Sequence, residues 1–149
     1  MSEPPVIVRV TRRIDASAER VFDAWLDPSL IGQWMFGPRL REEEIIHLKV
    51  DGQVGGKFSF LVRRQGHEID HVGTYETLDR PQRLVFTWGI AGDSAEESRV
   101  IVAIVSLDSG CELTLTHEMH PKWAEYRDRT QAGWTRMTDT LAAVLNESR

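Results

Sequence analysis

From Glu43 to Met119 the chain alternates apolar with polar residues in six runs, Glu43 to Val50, Lys57 to Arg64, Glu68 to Leu78, Arg83 to Gly89, Ser98 to Leu107 and Cys111 to Met119. That alternation is the signature of strands with one face buried. Between the runs stand Asp51-Gly52, Gly55-Gly56, Arg80-Pro81, Gly92-Asp93 and Ser109-Gly110, residues suited to tight turns. Connections so short cannot carry a strand back over a parallel crossover, so the sheet is expected to be antiparallel.

A seventh strand is expected at Val6 to Arg13. Ser17 follows as a helix cap, and Ala18, Val21, Phe22, Trp25 and Leu26 then fall at helical spacing with Glu19 in the first turn. Asp27-Pro28 offers a second cap with proline at the first helical position, opening a short helix with Leu30, Ile31 and Trp34. After Met119 the period changes. Tyr126, Thr130, Gly133, Trp134, Met137, Leu141, Val144 and Leu145 share one helical face, and a helix of about 24 residues within the segment Pro121 to Asn146 would span about 36 Å. The sheet has to wrap around it.

With 149 residues, 41% hydrophobic and 28% charged, the chain is expected to form one domain over 1–149 around one core, with Met1 to Pro5 as a disordered end. Eighteen basic against twenty-three acidic residues give a net charge of −5, and no basic run offers a footprint for nucleic acid. No apolar stretch reaches the ~20 residues of a membrane span, and MSEPPVIVRV lacks the layout of a secretion signal, so a cytoplasmic protein is expected. Cys111 is the single cysteine and sits at a strand start, where an inert buried thiol is expected.

These elements in this order resemble the α+β helix-grip fold of the START-like, or SRPBCC, superfamily, the Bet v 1-like arrangement. Its mark is a curved seven-stranded antiparallel sheet around a long carboxy-terminal helix, with two short helices between strands 1 and 2. RRIDASAERVFDAWLDPSLIGQWMFGP at Arg12 to Pro38, DGQVGGKF at Asp51 to Phe58, RPQRLVFTW at Arg80 to Trp88 and AGWTRMTDTLAAVL at Ala132 to Leu145 resemble the family homologous to the activator of the heat shock protein 90 ATPase. The resemblance implies a cavity between sheet and helix that takes a hydrophobic small molecule such as a lipid, polyketide or aromatic metabolite. Two alternatives come with it: an enzyme like the superfamily's polyketide aromatase/cyclases, and a chaperone-interacting domain. The eukaryotic chaperone activators carry a separate amino-terminal domain, whereas the first strand here begins within ten residues.

Face assignment by alternation gives the candidate lining. Phe58, Phe60 and Val62 point inward on one strand, Ile69, His71, Gly73 and Tyr75 on the next, Leu84, Phe86 and Trp88 on a third, and Leu113, Leu115, His117 and Met119 on the last. Trp134 and Met137 face them from the helix, and Trp34 lies on the second short helix. The candidate ligand-binding residues are therefore Trp34, Phe60, His71, Tyr75, Phe86, Trp88, His117, Met119, Trp134 and Met137. Gly133 supplies no side chain to fill the space, though close packing of helix on sheet would explain it equally well. His71, Tyr75 and His117 are the groups able to orient a ligand or move a proton, and filling a core is the alternative use of each.

Other chemistry finds no support. His117 and His120 diverge on a strand, and His67 and His71 stand about 13 Å apart at 3.3 Å per residue, so no metal site is expected. No nucleophile elbow, phosphate loop or dinucleotide fingerprint is present, and no cofactor or catalytic residue is expected. Arg39 to Glu44, RLREEE, reads as a solvated charged stretch at a mobile entrance loop or strand start. Ile101, Val105 and Leu107 could lie on an outward face, leaving monomer and homodimer both open.

Overall fold

The computed structural model describes residues 4–92 and 98–147; Met1 to Glu3 of the expected disordered end and Asp93 of the expected Gly92-Asp93 turn lie outside them. The order is β1 (Val6–Ile14), α1 (Ala18–Ala24), α2 (Pro28–Trp34), β2 (Glu44–Val50), β3 (Lys57–Arg64), β4 (His67–Asp79), β5 (Arg83–Ile90), β6 (Ser98–Ser106) and β7 (Cys111–Met119). A 3₁₀ turn (Pro121–Tyr126) and α3 (Arg127–Glu147) follow. The strands form one antiparallel sheet, β1-β7-β6-β5-β4-β3-β2, so α1 and α2 bridge the chain from one edge of the sheet to the other.

Capping decides where the short helices begin. The Ser17 side chain accepts from the Arg20 backbone N–H, and the Asp27 carboxylate accepts from Ser29 N with Pro28 at the first helical position. Trp34 then donates its indole N–H to the Ala24 carbonyl at 3.0 Å, which locks α2 against α1. The sheet curves where its register slips, between Ile45 and His47 on β2 and between Tyr75 and Thr77 on β4, because an unpaired residue bends its strand. The bulge residue Glu76 points outward and forms an ion pair with Arg99 at 2.8 Å.

Two expectations change. The long helix does not start at Pro121: the His120 ring accepts from Lys122 N, Pro121 opens a 3₁₀ turn, and α3 covers 21 residues, about 31 Å. The Arg39–Glu44 stretch is not wholly solvated either. Glu43 has a completely buried side chain because it accepts from Gly37 N at 2.7 Å, Arg41 at 2.9 Å and Arg64 at 2.7 Å. Three charge-assisted hydrogen bonds offset the cost of taking that carboxylate out of water.

The core runs along the concave face. Val8, Val10, Leu84, Val100, Val102, Leu113 and Leu115 pack under Leu141, Val144 and Leu145 at the far end of α3. Towards the other end the core becomes aromatic: Trp25 meets Trp34 edge-on at 4.6 Å, and Phe58, Phe60, Tyr75 and Phe86 stack around them. Such ring pairs add about 0.5–1.5 kcal/mol each beyond the area they bury. Cys111 is a free buried thiol, its pKa pushed up by burial first and by nearby Glu19 second.

Candidate functional site

Beyond the aromatic core, along the amino-terminal half of α3, a cleft of about 460 Å³ opens. The sheet side contributes His71, Trp88, Ile90 and His117, the loop after α2 contributes Phe36, and α3 contributes Arg129, Thr130, Gly133, Trp134, Arg136 and Met137. A lobe of about 290 Å³ adjoins it under the 3₁₀ turn, bounded by Trp88, His117, Met119, Trp123 and Tyr126. Cavities of this size, apolar with a few polar groups, suit a small molecule. Wider hollows of about 590 and 650 Å³ lie on solvent-facing surfaces, one against Lys49, Ser59 and Asp70, the other along Asp128, Thr135 and Asp139. The first is lined by apolar Val72 and Ile90 as well as by polar groups, and within it Ser59 Oγ donates to Asp70 at 2.7 Å.

Gly133 explains why the cleft exists. A β-carbon built there would meet nothing nearer than the mobile tip of Met137 at 4.0 Å. Close packing therefore does not demand glycine here; it faces open space, although glycine costs about 1 kcal/mol in a helix interior.

The ten candidate residues fall into two groups. His71, Trp88, His117, Trp134 and Met137 line the cleft and Met119 lines its lobe. Trp34, Phe60, Tyr75 and Phe86 are packed in the aromatic core behind that wall. The floor is a continuous set of rings: Phe36 lies over His71 at 4.8 Å, His71 beside Trp88 at 5.4 Å, and Trp88 beside Trp134 at 5.6 Å.

The two histidines are held differently. Trp134 donates its indole N–H to His117 Nδ1 at 3.0 Å, which makes Nε2 the protonated nitrogen and the donor to Ser98 Oγ at 2.6 Å. Ser98 Oγ in turn donates to the Trp88 carbonyl at 2.9 Å. Both ring nitrogens of His117 are thus occupied by the neutral form. His71 Nδ1 donates to the Phe60 carbonyl at 3.2 Å, leaving Nε2 as the lone-pair nitrogen on the cleft wall. Burial lowers both imidazoles from 6.5 to about 4; for His71 the nearby Arg64 and Arg41 push the same way, while Glu43 and the bond to Phe60 oppose it. Burial also raises the Tyr75 phenol well above its usual 10.

Sequence reasoning missed Phe36, Arg41, Arg64, Arg129 and Arg136. Phe36 stands in the MFGP segment that leads into the Arg39–Glu44 stretch and is almost wholly buried. The arginines come from three separate elements, and no sequence pattern joins them. Among the described residues no group of three or more His, Cys, Asp or Glu could hold a metal ion, and no helix is long and apolar enough to cross a membrane.

Comparison with known proteins agrees with this architecture. The family model described as Activator of Hsp90 ATPase homolog 1-like protein matches residues 15–146. Among solved structures, a protein of unknown function from Staphylococcus aureus is 22% identical, covering 99% of this chain and 96% of its own, with a TM-score of 0.84. Protein CV1439 from Chromobacterium violaceum is 24% identical over 95% and 98% of the two chains, TM-score 0.81, and the AHSA1-like protein from Aeromonas hydrophila is 23% identical over 96% and 94%, TM-score 0.78. No curated protein matches the chain.

Proposed function

Because the chain belongs to the Activator of Hsp90 ATPase homolog 1-like family, and so carries a helix-grip fold, we propose that it is a binding protein for a hydrophobic small molecule held between sheet and α3. The observation that carries this reading is the open space at Gly133 above the Phe36–His71–Trp88–Trp134 floor. Covering such a floor supplies the affinity: about 25 cal/mol per Å² of apolar surface removed from water gives roughly 7 kcal/mol for 300 Å², before association costs.

Binding without turnover is favoured over cyclase-like chemistry by the state of the proton-moving candidates. His117 has no free nitrogen, the Tyr75 ring lies in the core, and only His71 keeps a lone pair on the cleft wall. A cyclase needs proton transfer at a substrate held against these groups. His71 can orient a ligand by accepting a hydrogen bond.

Filling the space tests the proposal. Anilinonaphthalene sulfonate titrated into the folded protein is expected to bind one equivalent, with energy transfer from the cleft tryptophans. Its affinity is expected to fall progressively for Gly133→Ala, Gly133→Leu and Gly133→Trp, each checked by circular dichroism for an intact fold. Unchanged affinity in a folded Gly133→Trp variant would place the dye elsewhere and overturn the reading.

A further inference from the structure

The charge around the cleft runs against the charge of the chain. The whole sequence carries a net −5, yet the charged residues lining this cleft are Arg41, Arg64, Arg129 and Arg136, with no Asp or Glu among them. Two stand on the helix side. Arg129 and Arg136 are seven residues apart, two turns and about 10.5 Å of rise, so they bracket the Gly133 gap. Neither forms an ion pair among the described residues; Arg129 only lies over the Tyr126 ring at 5.5 Å. The other two stand on the sheet side, where buried Glu43 takes Arg41 through one terminal nitrogen and Arg64 through Nε.

Glu43 holds these two without consuming them. A guanidinium has five N–H donors in a fixed fork. Arg41 uses its Nη1 group on Glu43 and on the Met35 carbonyl at 3.3 Å, and Arg64 uses Nε on Glu43. Their remaining donors have no protein acceptor among the described residues. One carboxylate against four guanidiniums leaves an excess of three positive charges around an aromatic floor. A purely apolar ligand would leave all of them unanswered, whereas a planar carboxylate matches an arginine fork and gains from a site partly shielded from water.

Resting on the small-molecule reading above, we propose that the ligand is an amphipathic anion: an apolar, ring-sized body on Phe36, Trp88 and Trp134, and a carboxylate at the mouth facing Arg129 and Arg136 across from Arg41 and Arg64. His71 Nε2 accepts from a hydroxyl or N–H on the body where one is present.

The probes are 2-naphthoate and the neutral 2-naphthalenemethanol, which share a ring system and differ in the head group. Quenching of tryptophan fluorescence in 50 mM and 300 mM salt reads their binding. Naphthoate is expected to bind at least tenfold more tightly than the alcohol at low salt, with the gap narrowing at high salt. Arg129→Gln and Arg136→Gln, both at exposed positions that leave the core untouched, are each expected to weaken naphthoate at least threefold and to leave the alcohol within twofold. Equal binding of the two probes, or a preference that survives both substitutions together, overturns the anionic ligand while the apolar cleft stands. Binding of neither probe overturns the cleft as a small-molecule site as well.

Discussion

His117 receives one hydrogen bond from Trp134 and gives one to Ser98, and those commitments permit only a neutral ring. A proton added to Nδ1 would face the indole N–H and remove its acceptor. His71 is held neutral chiefly by burial. Both folded-state values, about 4, lie below the 6.5 of an exposed imidazole. Below pH 6.5 the unfolded chain therefore binds more protons than the folded one. This part of the stability is complete above pH 6.5 and is lost as pH falls from there towards 4, at up to about 1.4 kcal/mol per pH unit for each ring. Proton NMR of the imidazoles is expected to show neither ring titrating between pH 8 and 5.5; a midpoint near 6.5 for either would mean that it is solvated. The inward placement of both rings was legible from strand alternation alone. The burial of Glu43 was not, because three consecutive glutamates carry no sign of which one meets two arginines and a backbone N–H, the partners that make burial tolerable.

At the scale of elements, turn chemistry and caps carried most of the information. Ser17 and Asp27-Pro28 mark the starts of α1 and α2 because their oxygens satisfy N–H groups that a helix leaves open. Both strands of the β3–β4 hairpin were legible, but its turn was not: it is Gln65-Gly66, with φ of 53° and 81°, a pair of positive values in which glutamine is the uncommon member. The 3₁₀ turn at Pro121 escaped as well, since its spacing of three merges into the helical stripe that follows. Gly73 shows what alternation cannot convey. Strand periodicity places it inward like any β residue, but a β-carbon there would run into the Thr87 carbonyl and the Phe58 ring. Gly73→Ala is therefore expected to cost about 3 kcal/mol or more, read as a lowered urea midpoint at unchanged slope. A loss below about 1 kcal/mol would show that β4 and β5 can move apart without strain. Gly133 is the opposite case, a glycine with room around it.

For the whole molecule, the sheet order and the position of α3 divide the interior into a filled end and an open one. Aliphatic residues close the end around Leu141, Val144 and Leu145, and rings line the end around Trp88 and Trp134. The sheet-and-helix plan follows from hydrophobic periodicity, which reports which face is buried. Whether buried side chains fill the enclosed space depends on their sizes and rotamers across six elements, and sequence pattern does not report that. So six of the ten candidate residues line the opening and four pack behind it. The basic rim arises at this scale too, from residues as far apart as Arg41 and Arg136 that only the closed fold brings together. The most direct test of a ligand in that opening is native mass spectrometry of gently purified protein beside its Gly133→Trp variant, each repeated after denaturation. The account predicts a stoichiometric small-molecule adduct on the wild-type chain, released on unfolding and absent from the folded variant. An adduct of equal occupancy on both would contradict it, as would bare wild-type protein that also fails to take up anilinonaphthalene sulfonate or naphthoate.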